Sequence, residues 1–409
     1  TMAEVPIEKA ADYASADAAI ILQLIPQLKY ELINQSAMSI FDDIEMPLLP
    51  VLAKMEMTGI ALDIEFLQQM SAELSARINE VAIQIYQITG EEFNLNSPQQ
   101  LSHVLFEQMK LSPPGRARKT ATGYYSTAAD ILESMSGAHP IIDLVLEYRE
   151  LTKLQSTYLE ALPAQVNSAS GRVHTSFNQT GSVTGRIASS DPNLQNIPIR
   201  TDIGRKVRQA FIAGPGNQLL SVDYSQVELR IVAHIAQDEA MLAAFRAGQD
   251  IHTTTAAVVY NIPLDEVSKE QRRHAKAINF GLIYGMSPFG LTRTTDLTLA
   301  EAEDFVEAYF KQFPGVKRFL DDLKVQARQQ EYVETLLGRK RYFPGLGTQT
   351  NQLIRNRQLR EAINAPIQGT AADIMKVAML DVAEALKKKK LEARMMLQVH
   401  DELVLECPE

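Results

Sequence analysis

An α+β fold, with a sheet-bearing central part from which two helical lobes project, is the architecture this sequence predicts. Helical, mixed, helical and mixed stretches alternate along the chain, and the strand-like pieces are short, apolar and punctuated by glycine or acidic residues. The 409 residues suffice for two or three core-bearing units. With 45% apolar and 22% charged residues the chain reads as globular, which excludes disordered and fibrous classes.

Residues 18–38, rich in Ala, Ile, Leu and Gln, predict a first helix, and an apolar segment at 46–57 is broken by Met57-Thr58-Gly59-Ile60. From Ile64 to Thr89, Phe66, Leu67, Met70, Leu74, Ile78, Val81 and Ile85 recur at spacings of three and four, the signature of a long amphipathic helix. Ser112-Pro113-Pro114-Gly115 through Gly123-Tyr124-Tyr125-Ser126 reads as a flexible basic loop between further helices. After Pro163 the pattern turns β-like, with strands expected at 173–178 and 219–224. Residues 226–329 read as helical again, and strands return near 332–337 and at 394–406. There is no internal repeat and no low-complexity tract.

Cys407 is the only cysteine, so neither an intrachain disulfide nor a cysteine zinc site can form, and a reducing cytoplasm is expected. Histidines 103, 139, 174, 234, 252, 274 and 400 are too scattered for a zinc site. No apolar run approaches the roughly 18 residues that span a bilayer, and nothing addresses the chain to a membrane or for export. The net charge of −10 argues by itself against a nucleic-acid partner, yet basic residues gather at Arg116, Arg118 and Lys119, at 200–208, at Arg272, Arg273 and Lys276, at 339–341 and at 387–390. Each run alone reads as a solvated face, and 387–390 is taken as one.

Two acidic positions stand out. The apolar strand at 219–224, expected to be buried, carries Asp223 at its carboxyl end, and Ser225-Gln226-Val227-Glu228 opens a helix directly after it. Two apolar runs, 395–399 and 403–406, flank His400-Asp401-Glu402, a tight hairpin with Asp401 at its tip. Neighbouring strands about 4.8 Å apart would let these carboxylates share two divalent ions at about 3.5–4 Å, the spacing of a two-metal phosphoryl-transfer site. The bland alternative makes Asp223 a helix cap and Asp401 a turn residue.

In QRRHAKAINFGLIYG, residues Arg272, Lys276, Phe280 and Tyr284 fall at intervals of four and wind slowly along one helix face. Two cations then two aromatics suit a nucleoside triphosphate, phosphates first and sugar and base next. An amphipathic core helix with snorkelling cations is the alternative. Arg360, Asn364 and Gln368 repeat the step with groups suited to sugar, phosphate and minor-groove contacts, although Pro366 is expected to end or kink that helix.

SVDYSQVELRIVAHIAQD, RRHAKAINFGLIYGMS and MLQVHDELVLE, in that order, resemble the A, B and C motifs of family A DNA polymerases, most closely those of bacteria. TGRIASSDPNLQNIPIR, DIHTTTAAVVY, VETLLGRKRYFPG and INAPIQGTAADIMK look like the same family, so the resemblance covers roughly residues 13–409. It implies a right-hand polymerase fold with an antiparallel-sheet palm and helical thumb and fingers. By that likeness, residues 37–62 lead into the palm, 63–165 form the thumb, 232–345 the fingers, and 166–231 with 346–409 the palm.

The resemblance also implies the chemistry: addition of deoxynucleoside triphosphates to a primer 3′-hydroxyl on a DNA template, with release of pyrophosphate, in replication and repair. Asp223, Asp401 and the backbone carbonyl of Tyr224 would hold two Mg2+ ions, with Mn2+ as a substitute, and Glu402 would stand beside them. Arg272, Lys276, Phe280, Tyr284, Gln226 and His252 would bind the nucleotide, Lys276 would give a proton to pyrophosphate, and Glu228 would exclude a ribose 2′-hydroxyl. Arg186, Gln195, Arg360, Asn364, Gln368 and His400 would hold primer-template DNA, with Arg149 and Lys153 at the thumb-to-palm passage. A monomer associated with the bacterial nucleoid is expected. Phe280, lacking a phenolic hydroxyl, is expected to disfavour dideoxynucleotides.

Residues 1–36 would be a remnant of a 3′-to-5′ exonuclease domain. Tyr13-Ala14-Ser15-Ala16-Asp17 resembles only its last acidic motif, so no proofreading is expected, and the end at Glu409 leaves the Asp401 hairpin short of the cover seen in relatives. Two rival readings remain. A single-subunit RNA polymerase conflicts with Glu228, whose carboxylate would clash with a 2′-hydroxyl. A DNA-binding scaffold without catalysis conflicts with the retention of both acids and every cation of the nucleotide helix.

Overall fold

The computed structural model describes residues 4–113, 119, 123–198, 201–293, 295 and 297–409. Arg116, Arg118 and Arg200, and most of the basic loop, lie outside them. The chain forms two compact units, one of Thr1–Glu56, Phe177–Ser189 and Ser221–Leu405, the other of Met57–Ser176, Ser190–Leu220 and Glu406–Glu409. Helices predominate and the sheets are small and antiparallel where their register is set, so the α+β expectation holds.

In the second unit the long helix is Ile64–Thr89, as its periodicity predicts. Asp63 caps it by accepting from the Phe66 amide at 2.9 Å, and Gly90, at φ 77°, ends it in the left-handed conformation. Val81 and Ile85 pack with Leu101, Leu105, Ile141, Ile142 and Val145 in one core, each side chain contributing roughly 1.5–3 kcal/mol on burial. Arg77 pairs with Glu147 at 2.7 Å between this helix and Pro140–Leu154. A three-stranded sheet orders Arg172–Val173, Ile60–Leu62 and Phe211–Ile212, with Ile60 opposite Val173 and Ala61 opposite Ile212. The break at Gly59 is enforced: at φ +61° a Cβ would lie 2.6 Å from the Val173 carbonyl oxygen.

In the first unit the expected helical stretch becomes a series from Val227–Ala236 to Pro314–Gln330 around Leu229, Val232, Ile278, Leu282, Phe305, Tyr309 and Phe313. Asp238, buried, begins two of its helices. Its side chain accepts from the Met241 amide at 3.1 Å, opening Glu239–Arg246, and from the Gly315 amide at 2.9 Å, in the first turn of Pro314–Gln330.

Four charged side chains are held together in this unit, Lys376 and Asp373 buried, Glu45 and Arg339 partly so. Lys376, only 1% exposed, donates to Glu45 at 2.7 Å, and Arg339 donates to Asp373 at 2.7 Å and also to Glu45. Thr335 adds a hydroxyl to Asp373 at 2.7 Å, and Gln179 an amide to Glu45 at 2.6 Å. Burial lowers the Lys376 ammonium, against the Glu45 carboxylate that favours it.

Several elements differ from the sequence expectation. Gln352–Lys388 is one 37-residue helix that runs through Pro366. A proline costs about 3 kcal/mol in a helix interior, and here Ala362, Ile363, Ala365, Pro366, Ile367 and Thr370 are all buried, so packing on both sides offsets it. The strand expected at 173–178 is divided into Arg172–Val173 and Ser176–Asn178. The one near 332–337 is shorter, Tyr332–Glu334 paired with Lys340–Tyr342. The first helix is Ile7–Asn34, and it buries no residue.

The hairpin is as expected, Arg394–Val399 and Glu402–Pro408. Asn217–Asp223 lies at the sheet edge, next to Glu402–Pro408, and is not a buried strand: Leu220 is 47% and Val222 53% exposed. An apolar strand is buried only where something packs on it, and composition alone does not report that. Among the described residues no helix is long and apolar enough to cross a membrane.

Candidate active site

The two strand ends bring the expected acids together. The Tyr224 amide donates to the Asp401 carbonyl oxygen at 3.1 Å, and Ser221 Oγ donates to the Glu402 carboxylate. Burial, then the negative charges of Asp401 and Glu402, raise the Asp223 carboxyl above the usual carboxylate range. Asp223 is not a helix cap, because Val227–Ala236 starts from Gln226 at φ 56° with no capping side chain. Asp401 does occupy a turn, beside His400 at φ 57°, and it lines the cleft as well.

That cleft, of about 480 Å³, is lined by Asp223, Tyr224, Gln226, Glu228, His252, Arg272, Lys276, Phe280, Tyr284, His400, Asp401 and Arg186. Its cationic wall is the helix Lys269–Ile283, started by a Ser268–Gln271 capping box. One face, with Ala275, Ile278, Asn279, Leu282 and Ile283, enters the core and leaves Arg272, Lys276, Phe280 and Tyr284 toward the cleft. The two aromatics pack against that core while Lys276 is exposed, so only the aromatic half of the core-helix alternative holds. Phe280 lies 6.2 Å from Tyr284 and 5.7 Å from His252, ring centre to ring centre.

Arg272 is fixed by Asp250, Nε to Oδ1 at 3.2 Å and Nη2 to Oδ2 at 2.7 Å. Burial works to raise the Asp250 carboxyl, but Arg272 and the Thr253 donors outweigh it and hold it down at about 2. His252 is buried, with its Nδ1 3.0 Å from the Asn279 side-chain nitrogen. Burial first, then Arg272 and Lys276, lower this imidazole to about 4. The unfolded chain therefore binds a proton near 6.5 that the folded chain refuses until about 4, and stability falls as pH drops through that window. Thermal unfolding across this range should show the loss, and His252→Gln should flatten it.

Glu228, buried at the cleft wall, accepts from Arg186 Nη2 at 2.8 Å and from the Tyr284 hydroxyl. Burial and this carboxylate push the Tyr284 phenol well up, opposed by Arg186 and Gln368. Arg360 lies against Gly285, where a Cβ would meet its Cγ at 3.4 Å, and Asn364 Oδ1 is buried without a hydrogen-bond partner. The other expected residues belong to the second unit. Arg149 donates to the Thr127 carbonyl oxygen and, at 3.2 Å, to its hydroxyl; Lys153 lines a 720 Å³ cavity with Tyr158, Asp191 and Asn193; and the Gln195 amide bonds Asn193 at 2.9 Å.

Asp250 and Asn279, which orient Arg272 and His252, were not singled out from the sequence. Asp250 carries a signal, an acid three residues before Thr253 at a helix start; its pairing with Arg272 carries none. Among the described residues no three His, Cys, Asp or Glu side chains are arranged to hold a metal ion. A two-acid magnesium site does not need three, and the mutual repulsion of Asp223 with Asp401 and Glu402 is what a divalent ion would relieve. Asp17 lies on the helix that buries nothing.

The family model for DNA polymerase family A matches residues 64–409. DNA polymerase I of Chloroflexus aurantiacus is 46% identical over 411 residues, all of this chain and 43% of that protein. DNA polymerase I of Pseudomonas aeruginosa is 47% identical over 412 residues, again all of this chain and 45% of that protein. The chain thus spans less than half the length of these relatives. The solved POL domain of Pol1 from M. smegmatis, in complex with DNA primer-template and dNTP, superposes with a TM-score of 0.90 at 43% identity, over 96% of this chain and 68% of that one. A family model over most of the sequence, and relatives nearly half identical along its full length, agree with motifs that converge on one cleft: the chain belongs to DNA polymerase family A.

Proposed function

We propose that the chain performs template-directed DNA synthesis, adding deoxynucleoside triphosphates to a primer 3′-hydroxyl with release of pyrophosphate. The observation that carries this reading is the single cleft in which the Asp223 and Asp401 strand ends share walls with the Arg272–Lys276–Phe280–Tyr284 stripe. Asp223, Asp401 and the Tyr224 carbonyl would hold two magnesium ions, which when bound acidify the attacking hydroxyl and neutralise the leaving pyrophosphate.

Each side chain then has a task. Arg272, held in orientation by Asp250, takes triphosphate oxygens, and neutral His252 donates to another. Lys276 supplies a mobile ammonium that passes a proton to departing pyrophosphate. Phe280 lies under sugar and base, and Glu228, immobilised by Arg186 and Tyr284, closes the space a 2′-hydroxyl would need, with Gln226 beside it. Glu402 stands beside the metal-binding acids. Arg186, Arg360, Asn364, Gln368, His400, Gln195, Arg149 and Lys153 contact the primer-template, reading its shape and not its sequence. Residues 63–165 serve as thumb, 232–345 as fingers and the remainder from 37 onward as palm, and the chain acts as a monomer on nucleoid DNA.

Primer extension with magnesium tests the reading. Template-dependent extension with deoxynucleotides, and rejection of ribonucleotides by at least about a hundredfold, is expected. Equal use of both sugars would favour an RNA polymerase, and binding of primer-template without extension a scaffold.

A further inference from the structure

Gly185, next in sequence to the Arg186 that holds Glu228, lies directly on the side chain of Arg339: a Cβ built there would fall 2.8 Å from Arg339 Cδ. Its φ is +83°, and the preceding Thr184 runs close to Gly369, its carbonyl oxygen 3.2 Å from where a Gly369 Cβ would stand. Arg339 is restrained, because Asp373 and Glu45 hold its guanidinium and Lys376 shares Glu45. The Thr184–Gly185 turn is therefore packed on a side chain held by two carboxylates, and Arg186 follows it directly to reach Glu228 at 2.8 Å.

We propose that Arg339 is a positioning residue for sugar selection, acting through Gly185 and Arg186 on the Glu228 carboxylate. This rests on the reading of Glu228 as the group that faces the sugar. Arg339 touches no substrate. A displaced turn would leave Glu228 with only the Tyr284 hydroxyl and free to swing. Arg339→Lys offers one ammonium in place of the fork that spans Asp373 and Glu45, so it keeps the charge and loses the two-sided grip.

The test is primer extension by Arg339→Lys, Arg186→Ala and the double variant, with kcat and KM measured for deoxy- and ribonucleotides. Arg339→Lys should erode discrimination against ribonucleotides by about tenfold, and in the Arg186→Ala background should add less than about twofold. An undiminished effect in that background, or an equal loss of kcat on both sugars with the ratio intact, would overturn the proposal. Gly185→Ala deletes no charge, disturbs the same contact from the turn's side and should reproduce the loss of discrimination; wild-type selectivity there would also overturn it. Thermal unfolding of the same variants reads the coupling without turnover, where strict additivity of Arg339→Lys and Arg186→Ala would count against it. Unchanged selectivity in Glu228→Ala would sink the sugar reading alone, since the coupling is still measured on deoxynucleotide kcat/KM.

Discussion

Asp401→Ala lowers template-dependent extension by roughly a thousandfold, equivalent to about 4 kcal/mol of lost transition-state stabilisation, and leaves primer-template binding near its original strength. Among the described residues no third side chain completes a metal site with Asp223 and Asp401. Asp401→Asn separates this loss from misfolding. Burial and the charges of Asp401 and Glu402 hold the Asp223 carboxyl above its usual range. A carboxyl raised in the folded state binds protons more tightly than in the unfolded one, so at neutral pH its ionised form is a burden on folding. Removing the Asp401 charge lightens that burden, and the inactive asparagine variant should melt at a higher temperature than the parent in metal-free buffer. Millimolar magnesium should narrow the gap by stabilising only the parent. An unchanged or lower melting temperature for Asp401→Asn would mean that the acids are not pressed together.

Asp373→Ala should destabilise the first unit by about 3–5 kcal/mol, the penalty for stranding a buried partner. The Asp373 side chain is fully buried, and it accepts from Arg339 and from Thr335. Without it Arg339 retains Glu45, but Glu45 must already satisfy Lys376, so two cations compete for one partly buried carboxylate. Lys376→Met paired with Glu45→Gln removes one charge of each sign and should cost less than Asp373→Ala, although it alters two residues. Urea unfolding of the three proteins orders them, and a pair variant less stable than the single one would refute the account.

What the sequence could and could not convey divides along the range of the interactions. Ile64–Thr89 is legible because its periodicity is local, and the hairpin at His400-Asp401 because two apolar runs flank three polar residues. The stripe on Lys269–Ile283 follows from helix geometry alone. By contrast, Lys376 lies 331 residues from Glu45, and neither residue type invites the expectation of a buried pair. Asp250 with Arg272 and Arg186 with Glu228 are hidden for the same reason, and these orient the groups that the motifs make conspicuous. The local propensity of Pro366 carries no trace of the packing that surrounds it, and the apolar run of Asn217–Asp223 says nothing of what covers it.

Asp238 carries a further consequence. One side chain receives the first turns of both Glu239–Arg246 and Pro314–Gln330, although 77 residues separate Asp238 from Gly315. Glycine is needed at that meeting point, since a Cβ on residue 315 would sit 3.0 Å from Asp238 Oδ2. The two starts use the two oxygens of one carboxylate, Oδ1 for Met241 and Oδ2 for Gly315, so displacing Asp238 takes an acceptor from both at once. Amides at the two starts therefore exchange with solvent in a common opening event, and two stretches remote in sequence behave as one cooperative unit.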